Sequence, residues 1–341
     1  MDARGDCVVV GSSDHALYEI NVRKMKRTRT LYTKTYGHAE WVTSVRYLPD
    51  GRIISAGMDS KVFVWNASGV RATELKGHAS SAGQIALSPT HDLMATSSYD
   101  KTIRLWRVGG IFSEDACLRK HKAPVLHMAW GSGAGGGTLA SGSRDGALVL
   151  WNVDAAKPLM AEPVAHQGHC TSLAWFQPLE SPAAAAAGGG GGESGLVLSG
   201  GQDGCVRGWD PRVPGCVFES FLHRNAGGAG AVGEIRSTQA GMVVSMGADK
   251  KISVSDPRQG LAEVVAITSH TDFIYSLEVV GDVIVSGAGD GRLLAHDVGT
   301  GDLLYALGGH AAAPRCLAVA GGSCLAATGD DGNVTIYDMA A

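Results

Sequence analysis

Several features are missing from this chain of 341 residues, and each absence closes off a class of protein. No apolar run approaches the roughly 18 residues that a membrane helix needs, and the opening MDARGDCVVVGSSD has no apolar centre of the kind a secretion signal carries. A soluble protein with no membrane partner is expected, placed in the cytoplasm, with the nucleus or cilium as alternatives. The seven cysteines (Cys7, Cys117, Cys170, Cys205, Cys216, Cys316 and Cys324) never fall at Cys-x-x-Cys spacing, and several sit in apolar runs. Reduced, buried thiols of an intracellular chain are the expectation. The net charge of −4 supplies no general attraction to nucleic acid or anionic lipid, so neither is expected as a partner. Sustained helical periodicity is absent, and so are a nucleophile elbow, a Cys/His zinc array and a phosphate loop. GSGAGGG (131–137) lacks the Lys-Ser/Thr ending that a phosphate loop requires. The chain is therefore not expected to be an enzyme, to hold a cofactor or to bind a small-molecule substrate.

What is present is repetition. Glycine, at 48 residues, is about twice its ordinary usage, and no Gly-X-Y period accompanies it, which points to many turns. The stretch GLVLSGGQDGCVRGWDPR (195–212) is an apolar run, a Gly-rich turn ending in Asp, and a second alternating run. The same frame recurs in RIISAGMDSKVFVWN (52–66), LMATSSYDKTIRLWR (93–107) and TLASGSRDGALVLWN (138–152). It recurs more loosely in MVVSMGADKKISVSD (242–256), VIVSGAGDGRLLAHD (283–297) and CLAATGDDGNVTIYD (324–338). Each copy is a hairpin signature. Seven copies at 40–60-residue spacing, each preceded by a His and a further apolar strand such as WVTSVRYL (41–48), describe an all-β repeat protein.

In this frame the chain resembles the WD40 family of β-propellers. The resemblance implies a single domain over 1–341, most simply seven four-stranded blades with eight as the alternative. Radial stacking covers the two faces of each blade, and closing the ring protects the sheet edges. In the seven-blade form residues 28–34 would complete the last blade by pairing the two chain ends. Residues 1–27 would then be an extra N-terminal hairpin followed by a basic run. ESPAAAAAGGGGGES (180–194) and GSGAGGG read as flexible surface loops.

The resemblance also gives the recurring polar residues a structural task. The turn Asp bonds the upstream His, the His bonds a Ser or Thr, and that hydroxyl accepts from the Trp indole. An unsatisfied polar group in that setting would cost ~1–3 kcal/mol. The sets are His38, Ser55, Asp59 and Trp65; His78, Thr96, Asp100 and Trp106; and His121, Ser141, Asp145 and Trp151. In the fourth, Ser199, Asp203 and Trp209 are joined by His166 rather than His169 when the strand is registered on GHAEWVTSVRY. The later repeats place Ser255, His296 and Tyr337 at the Trp position and Ala327 at one Ser position, so packing should hold them more than this network does. His166 and His169 have a ligand-like spacing but no third ligand, and no metal site is expected.

Function must then reside on surfaces. The loop after each His and the turn holding each Asp share one rim, where Trp41, Met58, Tyr99, Arg144, His169 and Phe273 are the expected contacts for one or more proteins or peptides. Their aromatic and Arg content suits an interaction hot spot. VLSGGQDGCVRGWDPR also resembles the docking box of substrate receptors in cullin-RING ubiquitin ligases, which would make Asp210 and Arg212 an adaptor-docking pair. Gly208 departs from that box, and Ser-Asp-Pro-Arg (255–258) repeats only part of it. A non-catalytic interaction scaffold is the expected function. The alternatives are a ligase substrate receptor and a microtubule-associated cytoskeletal or ciliary component that uses the basic residues Arg23, Lys24, Lys26, Arg27 and Arg29.

Overall fold

A computed structural model describes residues 1–33, 35–131, 137–176, 195–225 and 228–339. The two Gly-rich loops expected at 131–137 and 180–194 lie largely or wholly outside the described residues. Eight antiparallel sheets stand in a ring, each built from the inside outward in chain order. Blade 1 comprises Asp2–Arg4, Cys7–Gly11, Leu17–Asn21 and Lys26–Leu31, and blade 2 comprises Val42–Tyr47, Ile53–Gly57, Val62–Trp65 and Ala72–Glu74. Blades 3 to 7 span 82–119, 125–162, 170–220, 232–267 and 274–307. Blade 8 has three strands among the described residues: Pro314–Ala320, Cys324–Gly329 and Val334–Asp338.

Alternating sequences place side chains on both faces of each sheet, and both faces are apolar. The second and third strands carry the core: every residue of Ile53–Gly57 and Val62–Trp65 is buried. Those residues pack across the gap to the next blade, as Ile54, Ala56 and Val62 do against Ile85, Met94 and Trp106. In blades 2 to 8 the inner strand pair carries a bulge near the channel mouth, for example between Val42 and Ser44 and between Ile274 and Ser276. Such bulges increase the local twist.

The ring therefore takes the eight-blade form, the alternative to the simpler seven-blade ring, and only the closure by pairing of the chain ends is corrected. The N-terminal hairpin is not surplus, because residues 2–31 make a complete blade of their own. Nor do residues 28–34 pair with the last blade. Lys26–Leu31 pairs with Leu17–Asn21, and Leu17 stands opposite Leu31. The ring closes by face-to-face packing instead of strand exchange. On one side Val8 and Val22 pack with Ala320 and Ala326, and Gly321 N–H donates to the Gly5 carbonyl at 2.7 Å. On the other, Leu17 and Leu31 pack with Val45 and Trp65, and the Asp2 carboxylate accepts from Tyr47 N–H at 2.6 Å. Two apolar faces on residues 8–31 must both be covered, and only a place between blades 8 and 2 covers both. In the sequence this blade shows only as an extra hairpin, because it has no Trp and its innermost strand is three residues long.

Leu17 is fully buried in the contact with blade 2. Leu17→Ala is expected to lower the stability of the whole ring by about 2–5 kcal/mol in a single denaturation transition. An appended hairpin would leave the main midpoint, read by urea titration of tryptophan fluorescence, where it was.

Candidate interaction rim

The recurring polar residues meet inside the blades. In blade 2, His38 Nδ1–H donates to Asp59 at 2.9 Å, the Ser55 hydroxyl donates to His38 Nε2 at 2.8 Å, and Trp65 Nε1–H donates to the Ser55 oxygen at 2.9 Å. Blade 3 repeats this with His78, Asp100, Thr96 and Trp106, and blade 5 with His166, Asp203, Ser199 and Trp209. Blade 6 keeps the His223–Asp249 and His223–Ser245 bonds without a Trp. Burial opposes charge on Asp203, yet hydrogen bonds from His166 and Arg207 hold its carboxyl well below the usual range.

Blades 4 and 7 break the chain of bonds, and both lack glycine two residues before the turn Asp. A Cβ at Gly57, Gly201 or Gly247 would lie only 2.4, 2.2 or 2.4 Å from the His Nδ1 of the same blade. Glycine there lets the imidazole approach the carboxylate. Blade 4 has Ser143 at that place, and its hydroxyl bonds Asp145, leaving buried His121 Nδ1 without a partner. Asp145 is therefore corrected out of the His121 network, although Ser141 still joins His121 to Trp151 at 2.7 and 2.8 Å. Blade 7 has Ala288, and His270 Nδ1 is likewise unpartnered while Asp290 accepts from Thr271. Serine alone does not decide the matter, since His78 reaches Asp100 past Ser98. At the Trp position of blade 7, His296 bonds Ser269 at 3.1 Å; in blade 8, Tyr337 donates to the Gly308 carbonyl at 2.7 Å.

The same turns build the rim. In blades 2 to 8 the residue before the turn Asp donates its N–H to the residue preceding the inner strand: Met58 to Trp41, Tyr99 to Ser81, Arg144 to Pro124, Gln202 to His169 and Gly289 to Phe273, all at 2.8–2.9 Å. These bonds project the side chains around the channel mouth. Trp41, Met58, Tyr99 and Phe273 are 55%, 46%, 43% and 46% exposed, Arg144 is exposed and His169 half-buried. Met58 and Tyr99 line a cavity of about 530 Å³ with Thr43, Gln84, His127 and Thr171. Phe273 does not join them. It opens blade 7, so blades 8 and 1 stand between it and Trp41, and its neighbours are Lys250 over its ring at 5.8 Å and, one strand position on, Tyr275 beneath Arg315. The expected rim contacts thus fall into two groups, Trp41, Met58 and Tyr99 on blades 2 and 3 and Phe273 on blade 7, with blades 8 and 1 between them.

Comparison with known proteins agrees with this geometry. The WD domain, G-beta repeat family matches residues 28–66, 69–107, 113–152 and 301–338. The chain is an eight-bladed β-propeller that carries WD40 repeats. The first matched repeat joins the outer strand of blade 1 to three strands of blade 2, so repeat and blade are offset by one strand. Among similar proteins, THO complex subunit 3 of Arabidopsis thaliana is 30% identical over 159 residues, covering 44% of this chain and 48% of that protein. The Ribosome biogenesis protein WDR12 homolog of Oryza sativa subsp. japonica is 22% identical over 299 residues, 75% of this chain and 64% of that one. The propeller thus spans about half to two thirds of the length of these relatives. The crystal structure of the computationally designed Ika8 protein superimposes with a TM-score of 0.78 at 22% identity over 98% of this chain and 94% of that one, a likeness of fold.

In this propeller the Trp-Asp-Pro-Arg ending has a local use. Arg212 folds back on Asp210, donating from its backbone N, Nε and Nη2 at 2.9, 2.9 and 2.7 Å. Those bonds from Arg212 lower the Asp210 pKa. Asp256 and Arg258 make the same turn in blade 6 without a Trp. Gly208 is explained by packing, because a Cβ there would lie 2.2 Å from the Phe218 ring. Of the basic run, Arg29 is committed to Glu19 at 2.7 Å and Arg23 to Asp6 at 2.9 Å, Arg27 lies over Tyr18, and Lys24 and Lys26 are exposed. Both ring nitrogens of His166 are engaged, so it cannot join His169 as a ligand. The cysteines are less uniformly buried than expected: Cys170 and Cys205 are buried, which pushes both thiols up to about 12, whereas Cys216 is exposed and the others are intermediate.

Burial lowers the pKa of His121 and of His270 to about 4, against the opposing pull of Asp145 and Asp290. Unfolded, each takes a proton near 6.5, so the stability from keeping them neutral is complete above that pH and is lost as pH falls towards about 4. Between pH 7 and pH 5 each should cost roughly 1–2 kcal/mol of unfolding free energy. Ser143→Gly, by freeing Asp145 for His121, is expected to reduce that loss in urea titrations at the two pH values.

Proposed function

We propose that this protein is a non-catalytic scaffold that holds a partner protein or peptide across the channel mouth, with Trp41, Met58 and Tyr99 as its anchors. The observation that carries the proposal is their exposure beside the 530 Å³ cavity. A Trp, a Met and a Tyr left in water on adjacent blades, around a concavity with a few polar groups, have the composition of a binding hot spot. Ser44 and Gln84 in the cavity wall accept N–H groups of Ile85 and Met128 from the neighbouring blades, so the floor under the anchors is rigid. Arg144 and His169 continue the same rim and would supply polar contacts at its margin.

The WD40 family supports a protein partner. So do relatives whose names place them in assemblies, among them THO complex subunit 3 and the Small ribosomal subunit protein RACK1y of Oryza sativa subsp. japonica, the latter 25% identical over 183 residues, 51% of this chain and 48% of that one. Adaptor docking through Asp210 and Arg212 is the weaker reading, since the two already satisfy each other and Asp256 with Arg258 does the same. In the scaffold reading the protein acts in the cytoplasm, which imaging of a tagged chain tests.

Trp41→Ala combined with Tyr99→Ala is expected to weaken capture of the principal partner from cell lysate by at least about tenfold, the scale of losing a hot-spot aromatic. Arg212→Ala should leave that capture unchanged and alter stability by less than about 1 kcal/mol, as an exposed ion pair does. Capture that survives the double substitution but fails with Arg212→Ala would transfer the function to the Trp-Asp-Pro-Arg turn.

A further inference from the structure

The cations around the channel mouth are unevenly placed. Lys101, Arg119, Lys120, Lys122 and Arg144 are all exposed on blades 3 and 4, and none makes an ion pair or a side-chain hydrogen bond among the described residues. Elsewhere surface arginines are held by carboxylates, as Arg52 is by Asp50, Arg107 by Asp115 and Arg315 by Asp330. In a chain with a net charge of −4, a sector of unpaired cations does not follow from composition.

Local structure fixes the five at one end of these blades. Lys101 follows Tyr99 and Asp100 on the turn of blade 3, and Asp100 is turned inward to His78. Arg119 stands opposite Thr102, at the same end of that blade. His121 is bonded inward to Ser141, which leaves its neighbours Lys120 and Lys122 on the outside of the loop. Arg144 projects from the turn of blade 4, tied by its N–H to the Pro124 carbonyl. Of the carboxylates here, Asp100 accepts from His78, Ala79 and Thr102, and Asp145 from Ser143 and Ala147. Glu162 is half-buried at the outer edge of blade 4. The cations outnumber these carboxylates. Across the mouth the balance reverses, since blades 7 and 8 set Asp272, Asp290, Asp330 and Asp331 against Arg292 and Arg315.

The 530 Å³ cavity opens beside the positive sector. Its wall includes Tyr99 and Val125, and Val125 follows Lys122 by three positions. No Lys, Arg, Asp or Glu lines it, and desolvation, helped by the charge of Arg236, lowers His127 to about 4. At neutral pH an uncharged hollow therefore meets a positive shoulder. With strands ~4.8 Å apart, a four-stranded blade measures roughly 15 Å from inner to outer strand, the reach of about four or five extended residues.

We infer that the segment held at the rim is acidic, with a large apolar side chain in the cavity beside Met58 and Tyr99 and about four Asp or Glu residues running outward over Lys122, Arg144, Lys101 and Arg119. The inference rests on the scaffold reading and names the chemistry of its partner. Complementary charge on an exposed rim acts on encounter and on discrimination against basic segments.

The test is calorimetric titration of the full chain with two end-blocked peptides, Trp-Asp-Glu-Asp-Glu and its reverse, Glu-Asp-Glu-Asp-Trp. At least one is expected to bind with a Kd below roughly 1 mM at ~0.05 M salt. Lys122→Glu combined with Arg144→Glu should weaken it by at least about fivefold, and so should salt of ~0.3 M on the unaltered chain. Lys24→Glu, at an exposed cation of blade 1, should leave it unchanged. Binding by neither peptide, equal binding of Trp-Lys-Lys-Lys-Lys, or indifference to the double charge reversal would each overturn the proposal. Tighter binding of a short oligouridylate that displaces the peptide would assign the patch to nucleic acid, and overturns it too. Partner capture that needs Trp41 and Tyr99 but ignores the charge reversal would remove the acidic segment and keep the scaffold, whereas capture indifferent to Trp41 and Tyr99 would remove the scaffold reading itself.

Discussion

The structure depends on one constraint: a sheet apolar on both faces must be covered on both. Blade 2 cannot bury Val45 and Trp65 unless Leu17 and Leu31 lie against them, and blade 1 cannot bury Val8 unless Ala320 and Ala326 lie on its other side. Each blade is thus both the core of its neighbours and dependent on them, and an N-terminal segment with only a hairpin and no Trp of the repeat is drawn into the ring as a full member. The hydrophobic term that drives this is non-directional. Direction comes from backbone and side-chain bonds between blades, such as Asp2 to Tyr47 and Ser44 to Ile85 near the channel.

Within a blade, the polar chain of carboxylate, imidazole, hydroxyl and indole ties the loop before the inner strand to the turn between the second and third strands. It is lost in two blades that lack glycine two residues before the turn Asp, although blade 3 keeps it with Ser98 at that place. Where Gly57, Gly201 or Gly247 leaves room, histidine meets aspartate; Ser143 and Ala288 accompany its loss. The rim inherits this geometry, because the residue between that position and the Asp is the one that projects from the turn. Met58 and Tyr99 stand on turns anchored by intact His–Asp pairs, whereas Arg144 stands on a turn whose Asp is held locally by Ser143. The most apolar part of the rim therefore rests on the better-braced blades.

Surfaces that remain exposed after this packing are of two chemical kinds. At the channel mouth, large side chains stand in water on a rigid backbone, suited to specific capture by shape and apolar contact. On the outer strands, charged pairs such as Arg107 with Asp115 and Arg207 with Glu219 stand at the surface, a polar margin to the sheets.

The sequence by itself determined the all-β class, the hairpin repeat, the placement of His166 over His169, and which residues would share a rim, since period-two alternation and turn residues at fixed offsets are local properties. It also showed Gly208 as a departure without its cause, the Phe218 ring on the following strand, directly opposite and against it in space. Only the tertiary structure decided the number of blades, because blade 1 is specified by its fit between blades 8 and 2 and carries little of the repeat's own chemistry. The same holds for the separation of Phe273 from Trp41, which follows from that extra blade, and for the break between His121 and Asp145, which turns on a Cβ and a hydroxyl facing a ring from another strand. Local pattern is written along the chain, whereas closure, spacing around a ring and steric access depend on residues brought together only by folding.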